Sequence, residues 1–398
     1  MRRTPWETVA IADVADLGSG TTPLRARGAL YYGEGTCWVK TGDLNNTFIR
    51  RTEESLTAKA IADYRVRVYP SGTVLIAMYG GFRQIGRTGL LKRRAAINQA
   101  LTALELRNGV VTPRFLQIQL NARIHEWRRL AGSSRKDPNI TKEDIARFKI
   151  DVPPPDLQAH VVALYDSMEN MTATLRRLTD AKRRMRDGVA AELLTGRRRL
   201  PEFDRRPWRD VRLGEVTRES TRRNGERLGA DRVMAVTKSI GLTPMRDRTM
   251  SDSLTRYKVL CPGGFAYNPM RLNIGSIARS SLKHDVLVSP DYVVFEADPE
   301  SLDPRFLDYT RRAHAWRRFM MAAGSGGVRI RIYYDDFARM KLQLPDKAEQ
   351  SAIADILDTA FQEIACLTLL RETIAKQKRG LMQGLLTGKI RIKEDSHG

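Results

Sequence analysis

The chain has 398 residues, 68 of them Lys or Arg and 46 Asp or Glu, for a formal net charge of +22 and a pI near 10.2. That excess suits a polyanionic partner, nucleic acid ahead of an acidic membrane surface, and no stretch approaches the roughly 18 apolar residues of a bilayer span. A hydrophobic content of 42% suffices for two cores of ordinary domain size, and three isolated cysteines (Cys37, Cys261, Cys366) rule out paired-cysteine zinc spacing and fit a reducing compartment.

Met1 to Glu7 carries no signal-peptide core, so a cytoplasmic home is expected. Trp6 and Val9 open a first segment. Val74 to Tyr79 and Leu101 to Leu106 are short β-rich runs bounded by Gly and Asn. A helix is expected from Pro113 to Leu130, followed by the small-residue loop Ala131-Gly132-Ser133-Ser134-Arg135, which serves either as a phosphate approach or as a plain connection. Pro153-Pro154-Pro155-Asp156 then starts a long helix. Its apolar residues Leu157, Val161, Leu164, Met168, Met171, Leu175, Leu178, Met185 and Val189 alternate at spacings of four and three, a heptad seam that ends at Thr195-Gly196.

The chain then repeats itself. Trp208, Val211 and Leu213 restate the head, and Pro304-Arg305-Phe306-Leu307 restates Pro113-Arg114-Phe115-Leu116. Asp336, Ala338, Arg339, Lys341 and Pro345 match Asp144, Ala146, Arg147, Lys149 and Pro153 in one ungapped register that runs on to Leu385-Leu386-Thr387-Gly388. Between head and tail the copies diverge, with further β-rich runs at Val286 to Val288 and Tyr292 to Phe295, a helix expected from Pro304 to Met321, and a glycine loop at 323–327. A second seam runs through Ile353, Ile356, Ala360, Leu367, Leu370, Ile374 and Leu381, interrupted by Glu363 and Gln377. Each helix spans about 40 residues, or about 60 Å, and equal length and register favour mutual antiparallel pairing. The fold expected is α+β, with two mixed α/β domains separated by a pair of long antiparallel coiled-coil helices in a pseudo-twofold repeat. Boundaries fall at 1–152, 153–199, 200–344 and 345–398.

Several blocks, in this order, carry a resemblance. Copy one has Gly18-Ser19-Gly20-Thr21-Thr22-Pro23, Trp38-Val39-Lys40-Thr41-Gly42-Asp43-Leu44, Gly72 to Gly80, Gly86, and Ile97-Asn98-Gln99-Ala100. Copy two has Ala266-Tyr267-Asn268-Pro269-Met270-Arg271, Gly275-Ser276-Ile277, and Val288 to Phe295. With both Leu-Leu-Thr-Gly tails, the chain resembles the DNA specificity subunit of type I restriction-modification systems along nearly its whole length. Gly81-Phe82-Arg83-Gln84 departs from the small-residue turn common in that family, and the two inserts resemble different subgroups of target-recognition domain. The resemblance implies a subunit that reads one half of a split double-stranded DNA target with each insert, across a gap set by the helices. It also implies a complex with two methyltransferase subunits and with restriction/translocase subunits, without membrane attachment. S-adenosylmethionine, ATP and Mg are expected on those partners, and no cofactor on this chain. The competing reading is a basic coiled-coil tether that binds nucleic acid without sequence preference.

Residues expected to face DNA are Lys40, Thr41, Tyr79, Arg83, Arg87, Asn98 and Gln99 in copy one, and Lys238, Ser239, Asn268, Arg271, Asn273, Arg279, Ser289 and Tyr292 in copy two. Arginine pairs bidentately with guanine, and asparagine or glutamine with adenine. The competing role for each polar residue is a fold-stabilising hydrogen bond, and each arginine could hold a phosphate and specify nothing. Catalytic motifs are missing. Asn268-Pro269-Met270-Arg271 lacks the second proline and the aromatic of an adenine methyltransferase loop. Gly384 to Ile390 is a residue short of a phosphate loop. Asp291, Glu296 and Asp298 lack the lysine of a metal nuclease, and the histidines (His125, His160, His284, His314, His397) show no metal or triad spacing. A non-catalytic scaffold is expected.

Overall fold

The computed structural model describes residues 6–107, 109–132, 138–237, 241–245, 250–312, 316, 331–386 and 390. The chain divides into two compact units, one built from Met1–Leu175 with Leu370–Gly398 and the other from Arg176–Leu369.

The first unit runs β1 (Glu7–Ala10), α1 (Ile11–Val14), β2 (Ala15–Ser19), β3 (Tyr32–Val39), β4 (Thr47–Ile49), β5 (Glu54–Leu56), α2 (Ala58–Asp63), β6 (Val68–Tyr69), β7 (Val74–Ala77), β8 (Thr88–Leu91), β9 (Ala95–Ile97) and β10 (Leu101–Leu106). Then come α3 (Pro113–Ala122), α4 (Ile124–Gly132), α5 (Lys142–Arg147), β11 (Lys149–Val152) and the long α6 (Pro155–Leu193). The sheets are β2-β10-β7-β8-β4, β5-β3-β9-β6 and the pair β1-β11. Strand β7 is buried on both faces, and its two-residue period sends Val74 and Ile76 into one core and Leu75 and Ala77 into another. The helix expected from Pro113 to Leu130 is two helices, because Arg123 (φ −104°, ψ 24°) leaves helical geometry and spends its guanidinium on Glu126 and on the Lys149 carbonyl.

The second unit contains β12 (Arg209–Arg212), β13 (Thr217–Glu219), β14 (Met234–Thr237), β15 (Gly241–Pro244), β16 (Lys258–Leu260), β17 (Phe265–Tyr267), β18 (Ile277–Arg279), β19 (Val286–Val288) and β20 (Val293–Ala297). It closes with α7 (Pro304–Thr310), α8 (Tyr334–Ala338), β21 (Lys341–Leu344) and the long α9 (Lys347–Leu386), which also enters the first unit. Of the helix expected from Pro304 to Met321, the part beyond Arg312, apart from Trp316, lies outside the described residues, as do the glycine loop 323–327 and Thr387-Gly388. The order β13-β20-β17-β18 repeats β2-β10-β7-β8. Here too the central strands divide two cores, Phe265, Tyr267, Val293 and Phe295 on one side and Ala266 and Val294 on the other.

The duplication extends to single hydrogen bonds. Gln158 and Gln350, both fully buried in the first turns of α6 and α9, make the same clamp. Gln158 accepts from the Thr112 amide (2.9 Å) and donates to the Val110 and Pro153 carbonyls, while Gln350 accepts from the Asp303 amide (2.9 Å) and donates to the Ser301 and Pro345 carbonyls. Arg114 pairs with Asp166 as Arg305 pairs with Asp358. The Ile140 amide donates to the Met78 carbonyl and the Ile332 amide to the Pro269 carbonyl, each at 3.1 Å.

The long helices run antiparallel within each unit. In the second, Lys182 meets Glu363 at 2.7 Å and Arg186 covers the Phe361 ring, while in the first Lys378 pairs with Glu169. The helix ends are exchanged: Leu385 and Leu386 of α9 are buried in the core of the first unit, and Leu193 of α6 in that of the second. One of the two expected seam positions is off by one residue in both helices. Leu178, Met185, Ile356 and Leu370 are exposed, whereas Thr179, Leu357 and Ile364 are buried and Arg186 and Lys378 half-buried. Threonines and the aliphatic stems of long cations take the inward positions because their polar ends find partners, a choice hydrophobicity alone does not reveal.

Candidate nucleic-acid interface

In the first unit the expected DNA-facing residues gather at one rim. Strands β3 and β9 are parallel, so Lys40-Thr41 and Asn98-Gln99 follow adjacent strand ends, and the Asn98 amide donates to the Val39 carbonyl at 3.0 Å. The Met78 amide donates to the Ala100 carbonyl (2.9 Å), which brings Tyr79 and the β7–β8 loop beside that turn. Arg83 is exposed and Arg87 partly so, and among the described residues neither has an acidic partner. Gln99 is exposed and Thr41 partly exposed.

Lys40 is differently placed. Its side chain is only 20% exposed, and its ammonium pairs with Glu53 at 3.0 Å and with Glu54, which also binds Arg25. Arg25 lies over the Tyr32 and Trp38 rings, 4.3 Å and 5.1 Å from their centroids. The Arg25 guanidinium and then the Lys40 ammonium hold the Glu54 carboxyl below its ordinary value. Lys40 therefore offers less free charge than its position in the sequence implies, and no local signal links it to glutamates more than ten residues away. Asn98 Oδ1 is buried without a hydrogen-bond partner, so only part of that side chain is available at the surface.

The second unit builds the matching rim from β17, β18 and β20. Tyr267 pairs with both Ile277 and Val293, so the loop 268–276 and the turn from Ser289 to Tyr292 flank the same strand ends. Arg271 is exposed without an acidic partner among the described residues, and Asn273, Ser289 and Tyr292 are partly exposed. Asn268 Oδ1 accepts from the Met270 amide at 2.9 Å, an Asx turn that gives this side chain a structural task. Arg279 does not join the rim. It pairs with Phe265 at the opposite end of the hairpin, and its Nε is buried without a partner. Lys238 and Ser239 lie outside the described residues.

The rims can offer hydrogen-bonding and cationic side chains to a polyanion. Among the described residues no group of three His, Cys, Asp or Glu is placed to hold a metal ion, and no helix is long and apolar enough to cross a membrane.

Residues 4–180 match the type I restriction modification DNA specificity domain. The MjaIX type I restriction enzyme specificity subunit of Methanocaldococcus jannaschii is 22% identical over 169 residues, 42% of this chain and 38% of that protein. The chain thus aligns with well under two thirds of that relative's length. The MjaVIII specificity subunit of the same organism is 22% identical over 331 residues, 76% of each chain. The solved S subunit of a type I restriction-modification system from M. genitalium shares the fold, at a TM-score of 0.58 and 12% identity over 99% of this chain and 98% of its own. Residues 4–180 thus carry a match to the type I restriction modification DNA specificity domain, and over most of its length the chain is similar to type I specificity subunits.

Proposed function

We propose that the protein is the sequence reader of a type I complex, in which each unit recognises one half of a bipartite, gapped double-stranded DNA target. The observation that carries this reading is the pair of rims. They are built on the same strand order and the same anchoring bonds, yet they display different side chains: Tyr79, Arg83, Arg87 and Gln99 in one, and Arg271, Asn273, Ser289 and Tyr292 in the other. One frame with two unlike surfaces suits two unlike half-targets, because base edges in the major groove are told apart by different donor and acceptor sets. A net charge of +22 supplies the sequence-independent attraction to phosphate.

In this reading the chain is non-catalytic and cytoplasmic. It scaffolds two methyltransferase subunits and the restriction/translocase subunits, which bring S-adenosylmethionine, ATP and Mg. The test is long-read detection of modified adenine in a methylation-free bacterial host expressing the methyltransferase subunit of the same system with and without this chain. A split motif that appears only with the chain is the expected result. A stable complex that yields no motif would refute sequence reading, and binding without base preference would favour the tether.

A further inference from the structure

Each unit carries a loop with a fully built base and a bare apolar tip. In the first, the Gly86 amide closes onto the Ala77 carbonyl (2.9 Å), the Ile85 amide donates to Gly81 (3.1 Å) and the Ile140 amide holds the Met78 carbonyl. Ile85 and Met78 are buried, yet Tyr79 is 42% and Phe82 50% exposed. In the second, the Asn268 amide donates to the Ser276 carbonyl (3.1 Å) and the Ile332 amide holds the Pro269 carbonyl. Leu272 is buried there, yet Met270 and Ile274 are each 52% exposed. A left-handed glycine closes both loops, Gly86 at φ +75° and Gly275 at φ +93°, and a Cβ on Gly86 would collide with Trp127. The exposure is therefore not slack in the chain. The anchors fix the tips in water, and Arg83, Arg87 and Arg271 beside them lack acidic partners among the described residues.

Large apolar side chains held in water beside free cations suit a polyanion that also offers apolar groups. Duplex DNA meets both conditions in its major groove, where the thymine 5-methyl is the apolar feature of the base edges. We propose that Phe82 in one loop and Met270 with Ile274 in the other are specificity-determining side chains, each pressing on a thymine methyl of its own half-target. This rests on the reading of the chain as a bipartite DNA reader and adds residues that the hydrogen-bonding argument left out. The aromatic tip and the aliphatic tip differ in size and shape, as two different half-targets require.

The test begins with the motif methylated by the wild-type complex. Without a motif the reader hypothesis itself fails. With one, the thymines of each half-target are replaced one at a time, and a half in which no replacement weakens binding overturns the proposal. Duplexes with deoxyuridine for the contacted thymine lose one methyl and should bind the wild-type complex about fourfold more weakly. Phe82→Ala should erase the difference between thymine and deoxyuridine in one half only, and Met270→Ala with Ile274→Ala in the other half only. If the Phe82→Ala complex keeps the thymine preference, or changes both halves, the proposal is wrong although the reader hypothesis stands. Should Phe82→Ala abolish methylation with an unchanged melting temperature, Phe82→Leu decides. Restored activity with thymine preferred supports the proposal, and continued loss overturns it.

Discussion

Replacing Gln350 by leucine removes a side chain that holds three backbone segments together. The volume is nearly kept, so no sizeable cavity forms, but three hydrogen bonds of 2.9–3.0 Å disappear. At about 1 kcal/mol net for each bond this amounts to about 3 kcal/mol, and the Asp303 amide, beneath a residue only 5% exposed, adds about 1–2 kcal/mol as a stranded donor. The equivalent Gln158→Leu should cost less, about 2–3 kcal/mol, because Val110 and Thr112 are exposed and their freed groups reach water. Hydrogen exchange suits the measurement, since two units need not unfold in one transition. The Asp303 amide should exchange about a hundredfold faster or more in Gln350→Leu, with the strands of the first unit unchanged. If Gln158→Leu proved the costlier variant, or both cost under about 1 kcal/mol, the assignment of these glutamines as helix-root clamps would be refuted.

Other substitutions separate the remaining arguments. Burial works to raise the Asp303 carboxyl, but the hydrogen bonds from Arg305 and Ser351 outweigh it and hold the group below its ordinary value. A depressed folded value means that the stabilisation is complete above the unfolded value near ~3.9 and is lost as pH falls through the folded one. Asp303→Asn should therefore lower the urea midpoint at neutral pH, with the deficit narrowing below about pH 4, and a constant deficit would count against the ion pair. Leu385→Ala should loosen the first unit and Leu193→Ala the second, each by about 2–5 kcal/mol, as read from amide protection in the respective sheets. The opposite pairing would contradict the exchanged helix ends. Arg83→Ala should reduce the slope of log affinity against log salt by about 1. Lys40→Gln should reduce it less, because Glu53 and Glu54 already balance that charge, and equal slopes would argue otherwise.

Much of this was legible along the chain because its causes are local. Proline-and-acid starts and a heptad period of apolar residues need only neighbours within a few turns, and they located α6 (Pro155–Leu193) and α9 (Lys347–Leu386). The ungapped repeat revealed one frame written twice, and the β-rich runs at Val74, Leu101 and Tyr292 became interior strands of their sheets, while the run at Val286 became the buried partner of β16. The rims were legible in part, through Tyr79, Arg83, Arg87, Gln99 and Arg271.

What tertiary structure decided depends on groups far apart in sequence. Lys40 is neutralised by Glu53 and Glu54, and Arg279 is carried to the far end of its hairpin by the β17–β18 register. The inward face of each long helix shifts by one residue because the Phe361 ring and Glu169 supply partners for Arg186 and Lys378 on the opposing helix. Each helix end completes the core of a unit begun elsewhere in the chain, Leu385 in the cluster that holds Phe115 and Leu193 in the cluster that holds Phe306. Apolar pattern and turn chemistry act between near neighbours and can be read directly from the sequence. Burial and ion pairing act between surfaces that exist only once the chain has folded.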